Sequence, residues 1–588
     1  MRRSVPWLAV LVTATIALGA SGTMTSRPAP VPAASAPAAP RPAQGFFGTL
    51  LGESTDLGPV AVRQELSLLL VLRDPGAAQQ AADLTAMYTP RSPHFGHYLD
   101  ARALAARYGP TPAVVARVRH ALARYGLRVT WRRGNDWLLV GGATHGFSAA
   151  FGVRARWYRS PHGTRYYASA QDPSLPASLR PLVTEVSHLS SFYEPQRYAV
   201  PHTVPPGGLA PTDLLAAYDI APLRKLGLDG AGQTVVFFEL DGFVQADFDT
   251  FTQKFGLPPM SPVIKAGPTL APGRETQMDL EVVHEIAPAA KLVLYNIDLQ
   301  ATAQAATSEA QVLQAELDLQ NRMVTDNPGA VISQSWGLCE KFFNRAYADA
   351  LKNVYDHADA LGESVFVSSG DNGAYECLRN AKKGTPPSAD TLGVPFPAAV
   401  PGVTAVGGTR ISVTPNGGWY NETVWEDPAQ VGGAGGGVTT YFPRPSWQQG
   451  PGVQSSQYNP QNRREIPDVS ADADPVSGAA IYMSEGQSGG QWTAGGGTSQ
   501  SAPIWAGITA LINQYLQSKG LHAAGFVNPA LYQIADRASP YQAFHDITMG
   551  TNLYYPATPG YDMASGLGTP DAWNLARDLE VYQRGGGQ

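Results

Sequence analysis

The sequence predicts two folded units: a small α+β module, then a large α/β unit whose parallel sheet is covered by helices on both faces. Three observations carry this. From Thr234 onward short apolar strands alternate with helical segments, the pattern of a sheet buried on both sides. A Pro- and Gly-rich interruption at 197–211 divides the chain. The charge also changes sign there: residues 1–205 hold 21 Lys and Arg against 10 Asp and Glu, and residues 206–588 hold 21 against 38.

The 588 residues are 44% apolar and 15% charged, which excludes a charge-rich disordered chain. Two cysteines exclude a disulfide-dense scaffold and any four-cysteine zinc site. The overall charge of −6 speaks against a general nucleic-acid binder.

Taken in order, Arg2 and Arg3 precede the apolar run Val5-Pro6-Trp7-Leu8-Ala9-Val10-Leu11-Val12, and the small residues Gly19-Ala20-Ser21 follow. This reads as a secretory signal over 1–22, too short for a membrane span of ~20 residues. The expected protein is secreted and extracellular, with no stable membrane anchor after processing. Residues 23–45 are a Pro/Ala-rich linker. In the module at 46–196, residues 66–72 read as a buried strand, and Thr111-Pro112 opens a helix to about 125. Strands at 127–131 and 137–140 flank a turn, and a short helix follows at 144–151. No catalytic cluster or metal set stands out among its histidines. Residues 197–211 form an exposed linker containing the processing site, and 212–588 form the large unit.

Within that unit, strands are expected at 235–238, 291–295, 331–333 and 364–368. Helices are expected at 247–255, 301–323 and 345–361. Polar residues follow strand ends: Glu239, Ser335-Trp336-Gly337 and Gly370-Asp371-Asn372-Gly373. Parallel sheets place their sites at such ends.

The sharpest local motif is Gly495-Gly496-Gly497-Thr498-Ser499-Gln500-Ser501-Ala502-Pro503, leading into the apolar segment 504–512. It sets Ser499 at a helix N-terminus, where amides and the helix dipole stabilise an oxyanion, and Pro503 in the first turn. The unremarkable alternative is a Gly-rich loop with a serine cap. A serine nucleophile needs a base, and the large unit has only His284, His357, His522 and His545, none in a His-Gly loop. Instead Glu275 and Asp279, four apart, project from one helix face. By themselves such acids read as surface residues; with a Gly-Thr-Ser-x-x-x-Pro nucleophile and no suitable histidine they read as the base and its partner.

With these residues the sequence resembles the sedolisin (serine-carboxyl peptidase) family, its kumamolisin-like members in particular. The shared motifs are Glu275-x-x-x-Asp279, Ser368-Ser369-Gly370-Asp371, Val394-Pro395-Phe396-Pro397, Gly407-Gly408-Thr409, Pro467-Asp468-Val469-Ser470 and Gly497-Thr498-Ser499-x-x-x-Pro503. Ser92-Pro93-His94-Phe95-Gly96-His97-Tyr98-Leu99 is similar to the family's propeptide, and Gly496 departs from the serine common there. The resemblance implies a subtilisin-like catalytic domain, a ferredoxin-like activation propeptide and a zymogen of an acid-acting endopeptidase. It implies Ser499 as nucleophile, Glu275 as base, Asp279 as its orienting partner and Asp371 as oxyanion donor, with Glu239 and Trp336 extending the network. At about pH 4 an unperturbed histidine is almost wholly protonated, whereas an unperturbed glutamate is about one-third ionised.

Near the C-terminus, Asp546 and Asp562 in tight loops suit one structural Ca²⁺, and the resemblance adds the carbonyls of Ile547, Thr558 and Gly560. Cys339 and Cys377 follow two strand ends and form a disulfide if those strands are neighbours, or two separate thiols otherwise. The expected partners are peptide substrates and the chain's own propeptide, as inhibitor or chaperone, in a monomer that binds no nucleic acid. Opposite charges suggest an electrostatic clamp between propeptide and catalytic unit. The competing readings are a tripeptidyl-peptidase on the same fold, a conventional Ser-His-Asp protease, and a catalytically inactive calcium-stabilised binding protein.

Overall fold

Alternating burial along a strand decides which layers it joins. A computed structural model of the chain describes residues 42, 45–161, 163–193, 208–378, 391–429, 432–453, 457–484, 489–536 and 539–585. These belong to one compact unit, Ala39–Gln588. The signal, most of the first linker and most of the second lie outside the described residues.

The N-terminal module contains β1 (Thr55–Pro59), β2 (Glu65–Leu72), β3 (Arg128–Thr130), β4 (Trp137–Ala143), β5 (Ala155–Arg159), β6 (Arg165–Ser169) and β7 (Val183–Val186). They form two sheets, β3-β4-β2-β7 and β1-β5-β6, with every pair antiparallel. Its helices include α1 (Ala77–Met87), α2 (Pro112–Ala123) and α3 (Thr144–Phe151). The Thr111 hydroxyl accepts from Val114 N, capping α2 as its sequence predicts.

The large unit contributes β8 (Thr234–Glu239), β9 (Val263–Ala266), β10 (Lys291–Asn296), β11 (Val331–Gln334), β12 (Ser364–Ser368), β13 (Thr404–Val413), β14 (Trp419–Val424) and β15 (Val469–Asp472). They form an eight-stranded sheet in the order β14-β13-β12-β11-β8-β10-β9, with β15 also paired to β13. Every pairing is parallel except β13 with β14. Val235 and Phe237 enter the core beneath α4 (Arg274–Ile286) and α7 (Thr498–Ser518). Val236 and Phe238 enter the opposite core, with α5 (Glu309–Thr325) and α6 (Arg345–Ala360). Helices on both faces thus follow from a period of two along each strand.

Two expectations are corrected. The helical segment expected at 301–323 is two helices, Leu299–Ala305 and α5, because Ser308 caps α5 by accepting from Gln311 N. Pro503 is not in a first turn: α7 starts at Thr498, so the proline lies inside the helix.

The two units share a core. Along β2, Leu66, Leu68, Leu70 and Leu72 face the module's own interior, whereas Leu69 and Val71 join Trp137 in the core of α5 and α6. Polar groups stitch the same seam. Asn135 Nδ2 donates to Asp318 Oδ1 at 2.5 Å, and Trp137 Nε1 donates to that oxygen at 3.3 Å. The Tyr88 hydroxyl donates to the Asp359 carbonyl at 2.6 Å and accepts from Phe526 N at 3.1 Å. The motif 92–99 docks as well, with Leu99 N donating to the Ala360 carbonyl at 2.8 Å. Among the described residues the ion pairs crossing the seam are Arg132–Asp318, at 3.8 Å, and the His357–Asp136 contact. Burial lowers His357 to about 4 and raises Asp136 to about 7, so that contact is uncharged over most of the intervening range.

Candidate active site

The C-terminal ends of β8, β11 and β12 converge on the first turns of α4 and α7. Glu275 and Asp279, 2% and 0% exposed, point inward from α4. Asp279 Oδ2 accepts from the Ser335 hydroxyl at 2.7 Å, just past β11. Glu239 ends β8, and its Oε2 accepts from Trp336 Nε1 at 2.8 Å and lies 2.9 Å from the Thr276 hydroxyl.

From the other side, the loop after β12 brings Asp371 to the start of α7. Asp371 Oδ1 accepts from Thr498 N and from the Thr498 hydroxyl, both at 2.8 Å. Gly497 precedes the helix with φ +79°, and a Cβ there would lie 2.5 Å from Asp371 Oδ2. The glycine therefore supplies both the left-handed turn and room for the carboxyl. Ser499 follows at once, 2% exposed.

Pro503 now has a use. Its missing N–H leaves the Ser499 carbonyl, four residues earlier, without its helical donor. The Ser335 hydroxyl lies 3.3 Å from that carbonyl and 2.7 Å from Asp279 Oδ2. Ser335 thus sits between the backbone of Ser499 and the carboxyl of Asp279.

The Ser499 hydroxyl makes no hydrogen bond of ordinary geometry. It is nonetheless near enough to Glu275 to favour its charged form, against burial, which dominates and raises this carboxyl to about 8. The two groups are close but not aligned. Asp279 and Glu239 are also raised, first by burial and then by neighbouring carboxylates. Glu239 Oε1, Glu275 Oε1 and Asp279 Oδ1 are buried without hydrogen-bond partners, as expected where carboxyls share protons instead of all ionising. Burial raises Asp371 to about 6, against the Thr498 hydrogen bonds. The ordinary glutamate value used for the ionised fraction therefore does not describe Glu275 in this buried setting.

The four histidines of the large unit are not brought to Ser499. His284 contacts the Pro258 carbonyl at 2.8 Å, His357 faces Asp136, His545 stacks on Trp419, and His522 lies against Tyr98. Cys339 and Cys377 are joined by a disulfide, which ties the segment after Trp336 to the one after Asp371.

Farther away, Asp562 Oδ2 accepts from Thr558 N at 2.7 Å and Asp546 Oδ2 accepts from Gly560 N at 3.0 Å. Both carboxylates thus reach one three-residue turn. Ile547 is buried with Val424, Ala434 and Ala564, which anchors its backbone. Among the described residues no three or more acidic, His or Cys side chains group as a metal site. An all-oxygen set of two carboxylates and main-chain carbonyls fits a hard cation such as calcium.

Sequence reasoning missed Asp241, Thr276 and the placement of Ser335. Asp241 Oδ1 accepts from Thr276 N at 3.1 Å, and its signal was an acid two positions beyond the strand-end Glu239.

A serine and a set of acids at the C-terminal edge of a subtilisin-like sheet define a hydrolase of the serine-carboxyl peptidase class. Comparison with known proteins agrees. Residues 53–192 match the family described as "Pro-kumamolisin, activation domain", and residues 262–532 match the "Subtilase family". Kumamolisin of Bacillus sp. (strain MN-32) is 31% identical over 566 residues, covering 90% of this chain and 94% of that one. Tripeptidyl-peptidase 1 of Canis lupus familiaris is 27% identical, covering 89% and 93%. The structure of Pseudomonas sedolisin (serine-carboxyl proteinase) complexed with two molecules of pseudo-iodotyrostatin is 30% identical, with a TM-score of 0.54. It covers 64% of this chain and all of that one. The chain belongs to the sedolisin family and carries that family's activation propeptide.

Proposed function

We propose that the protein is the secreted zymogen of an acid-acting endopeptidase using Ser499, Glu275, Asp279 and Asp371. The observation that carries this is the convergence of the four on one buried point, with Asp371 bonded to the residue before Ser499. Ser499 Oγ attacks the peptide carbonyl while Glu275 accepts its proton and Asp279 orients Glu275. Protonated Asp371 donates to the oxyanion, and Glu275 then returns its proton to the leaving amine as the acyl-enzyme forms. Water, deprotonated by Glu275, releases the acyl group.

The proton arrangement explains why the buried state rests. The reaction needs Glu275 ionised and Asp371 protonated, yet here the base is raised to about 8 and the donor to about 6. Because burial is the leading cause for both, hydration of an open cleft moves Glu275 toward its ordinary acidic range. Docked on α5 and α6, the propeptide acts as inhibitor or folding aid within a monomer. Asp546 and Asp562, with the carbonyls of Ile547, Thr558 and Gly560, would hold calcium. Its positive charge would offset the two carboxylates and stiffen their turn; it takes no part in the reaction.

The test is incubation of the full chain at about pH 4 with and without Ser499→Ala. Loss of the N-terminal module and cleavage of denatured proteins are expected only with Ser499 present; activity in the variant would remove the assigned nucleophile. Mass spectrometry of products reads internal cleavage against successive tripeptide release, the latter favouring the tripeptidyl reading.

A further inference from the structure

We propose that Asp241 is a positioning residue for this reaction: it caps, from outside the helix, the N-terminus that carries Glu275 and Asp279, and adds a further carboxylate to their cluster. The inference rests on Glu275 being the base.

Four amides at a helix start lack intrahelical acceptors. In α4 the capping position is Gly273, which has no side chain to offer. Asp241, 7% exposed, takes that role. Its Oδ1 accepts from Thr276 N at 3.1 Å, the amide a cap ordinarily serves, and lies 2.7 Å from the Thr276 hydroxyl. That hydroxyl is also 2.9 Å from Glu239 Oε2, so one threonine links the cap to the network.

The backbones are clamped in the same place. Gly242 N donates to the Ala271 carbonyl at 2.7 Å, and Gly273 N donates to the Gly242 carbonyl at 2.8 Å. A Cβ on Gly273 would lie 2.0 Å from Asp241 Oδ2, so the carboxylate fills the space that glycine leaves. A glycine at the cap and an acid on the facing loop are therefore one device in two pieces.

The position has an electrostatic consequence. The charged and titratable groups around Glu275 are Asp241 on the β8 loop, Asp371 on the β12 loop, and Arg274, Asp279 and Glu239. Of these, the Asp241 charge raises Glu275, Glu239 and Asp279 together, while Arg274 lowers Glu275. Asp241 thus aims the base and also makes it hold its proton.

The test compares Asp241→Asn and Asp241→Ala in enzyme activated from the full-length chain, reading kcat/KM against pH on a peptide substrate together with thermal unfolding. Asn keeps an acceptor for Thr276 and loses the charge. We expect near-unchanged stability and an acid limb displaced downward by about one pH unit. Ala loses the cap too, and kcat is expected to fall about tenfold or more as Glu275 loses its aim, with the melting temperature lowered. An Asn profile superimposing on wild type would overturn the proposal even if Ala unfolds, since the Asn variant does not depend on it. Glu275→Gln in parallel separates the two levels. If that variant stays fully active, the base assignment fails and Asp241 with it. If it is inactive while Asp241→Asn leaves the profile unmoved, only the role of Asp241 falls.

Discussion

Tyr88→Phe removes one oxygen from the seam between propeptide and catalytic domain and leaves the ring in place. Tyr88 is 7% exposed, packing edge-on against Phe526 and tilted against Tyr98. Its hydroxyl serves the Asp359 carbonyl and the Phe526 amide at 2.6 and 3.1 Å. Without it, one buried donor and one buried acceptor lose that partner, at about 1–2 kcal/mol each. Docking should weaken by about 2–4 kcal/mol, or roughly 30- to 700-fold in the open fraction of the propeptide. The assay is the rate of propeptide loss by the full chain at mildly acidic pH, with limited proteolysis by an added protease in a Ser499→Ala background. Both rates should rise; an unchanged opening rate in both would refute the view that these bonds hold the propeptide. The same assay bears on the clamp suggested by net charge. Among the described residues the seam is mainly apolar, two of its hydrogen bonds end on the Asp318 carboxylate, and the Arg132–Asp318 ion pair is 3.8 Å long. Added salt near neutral pH should therefore change opening less than Tyr88→Phe does.

Other outcomes follow from the site and its surroundings. Asp371 must be protonated to donate, so wild-type activity should fall as pH rises through its value, which is about 6 when buried and lower once the open cleft is hydrated; Asp371→Asn, a permanent donor, should flatten that alkaline decline at reduced kcat, as a pH–rate profile would read. Many buried carboxyls are raised above ordinary values, including Glu239, Glu281, Glu285, Asp359, Glu363 and Asp472. A raised folded value gives stability that is full below the unfolded value of about 4 and lost as pH rises through the folded one. Calorimetry of Ser499→Ala should therefore show a melting temperature highest in acid and falling toward about pH 8. The proposed calcium site predicts that chelation lowers the melting temperature of wild type but not of Asp562→Ala, which lacks one of the two carboxylates.

The apolar strands were legible because burial on both faces leaves a run that no surface element shares. Phe237 and Val365 announce themselves in this way. β13 was not legible, since Gly407 and Gly408 interrupt its apolar run and only the sheet explains them. The break before α5 turns on Ser308, whose capping role depends on a backbone bend. The Gly-Thr-Ser motif, a four-residue spacing and a strand end drew attention to Ser499, to Glu275 and Asp279, and to Asp371, whereas the oxyanion role of Asp371 came only with the family resemblance. Asp241 could not be singled out, because its meaning lies in a glycine 32 positions away along the sequence. Glu281 and Glu285 look like one solvated helix face, yet both are buried, with Glu281 accepting from Gln277 and from Tyr482 N.

Pro503 turns a local tie into a distant one. In most helices a residue near the N-terminus takes its position from the next turn, so bending of the helix moves it. Here the Ser499 carbonyl is referred to Ser335, and through it to β11 and α4. The proposed nucleophile is surveyed from the sheet, on the same benchmark as the acids beside it, so bending farther along α7 need not spoil their alignment. Any other residue at 503 would bring an amide that competes for that carbonyl, and the serine would begin to follow its helix.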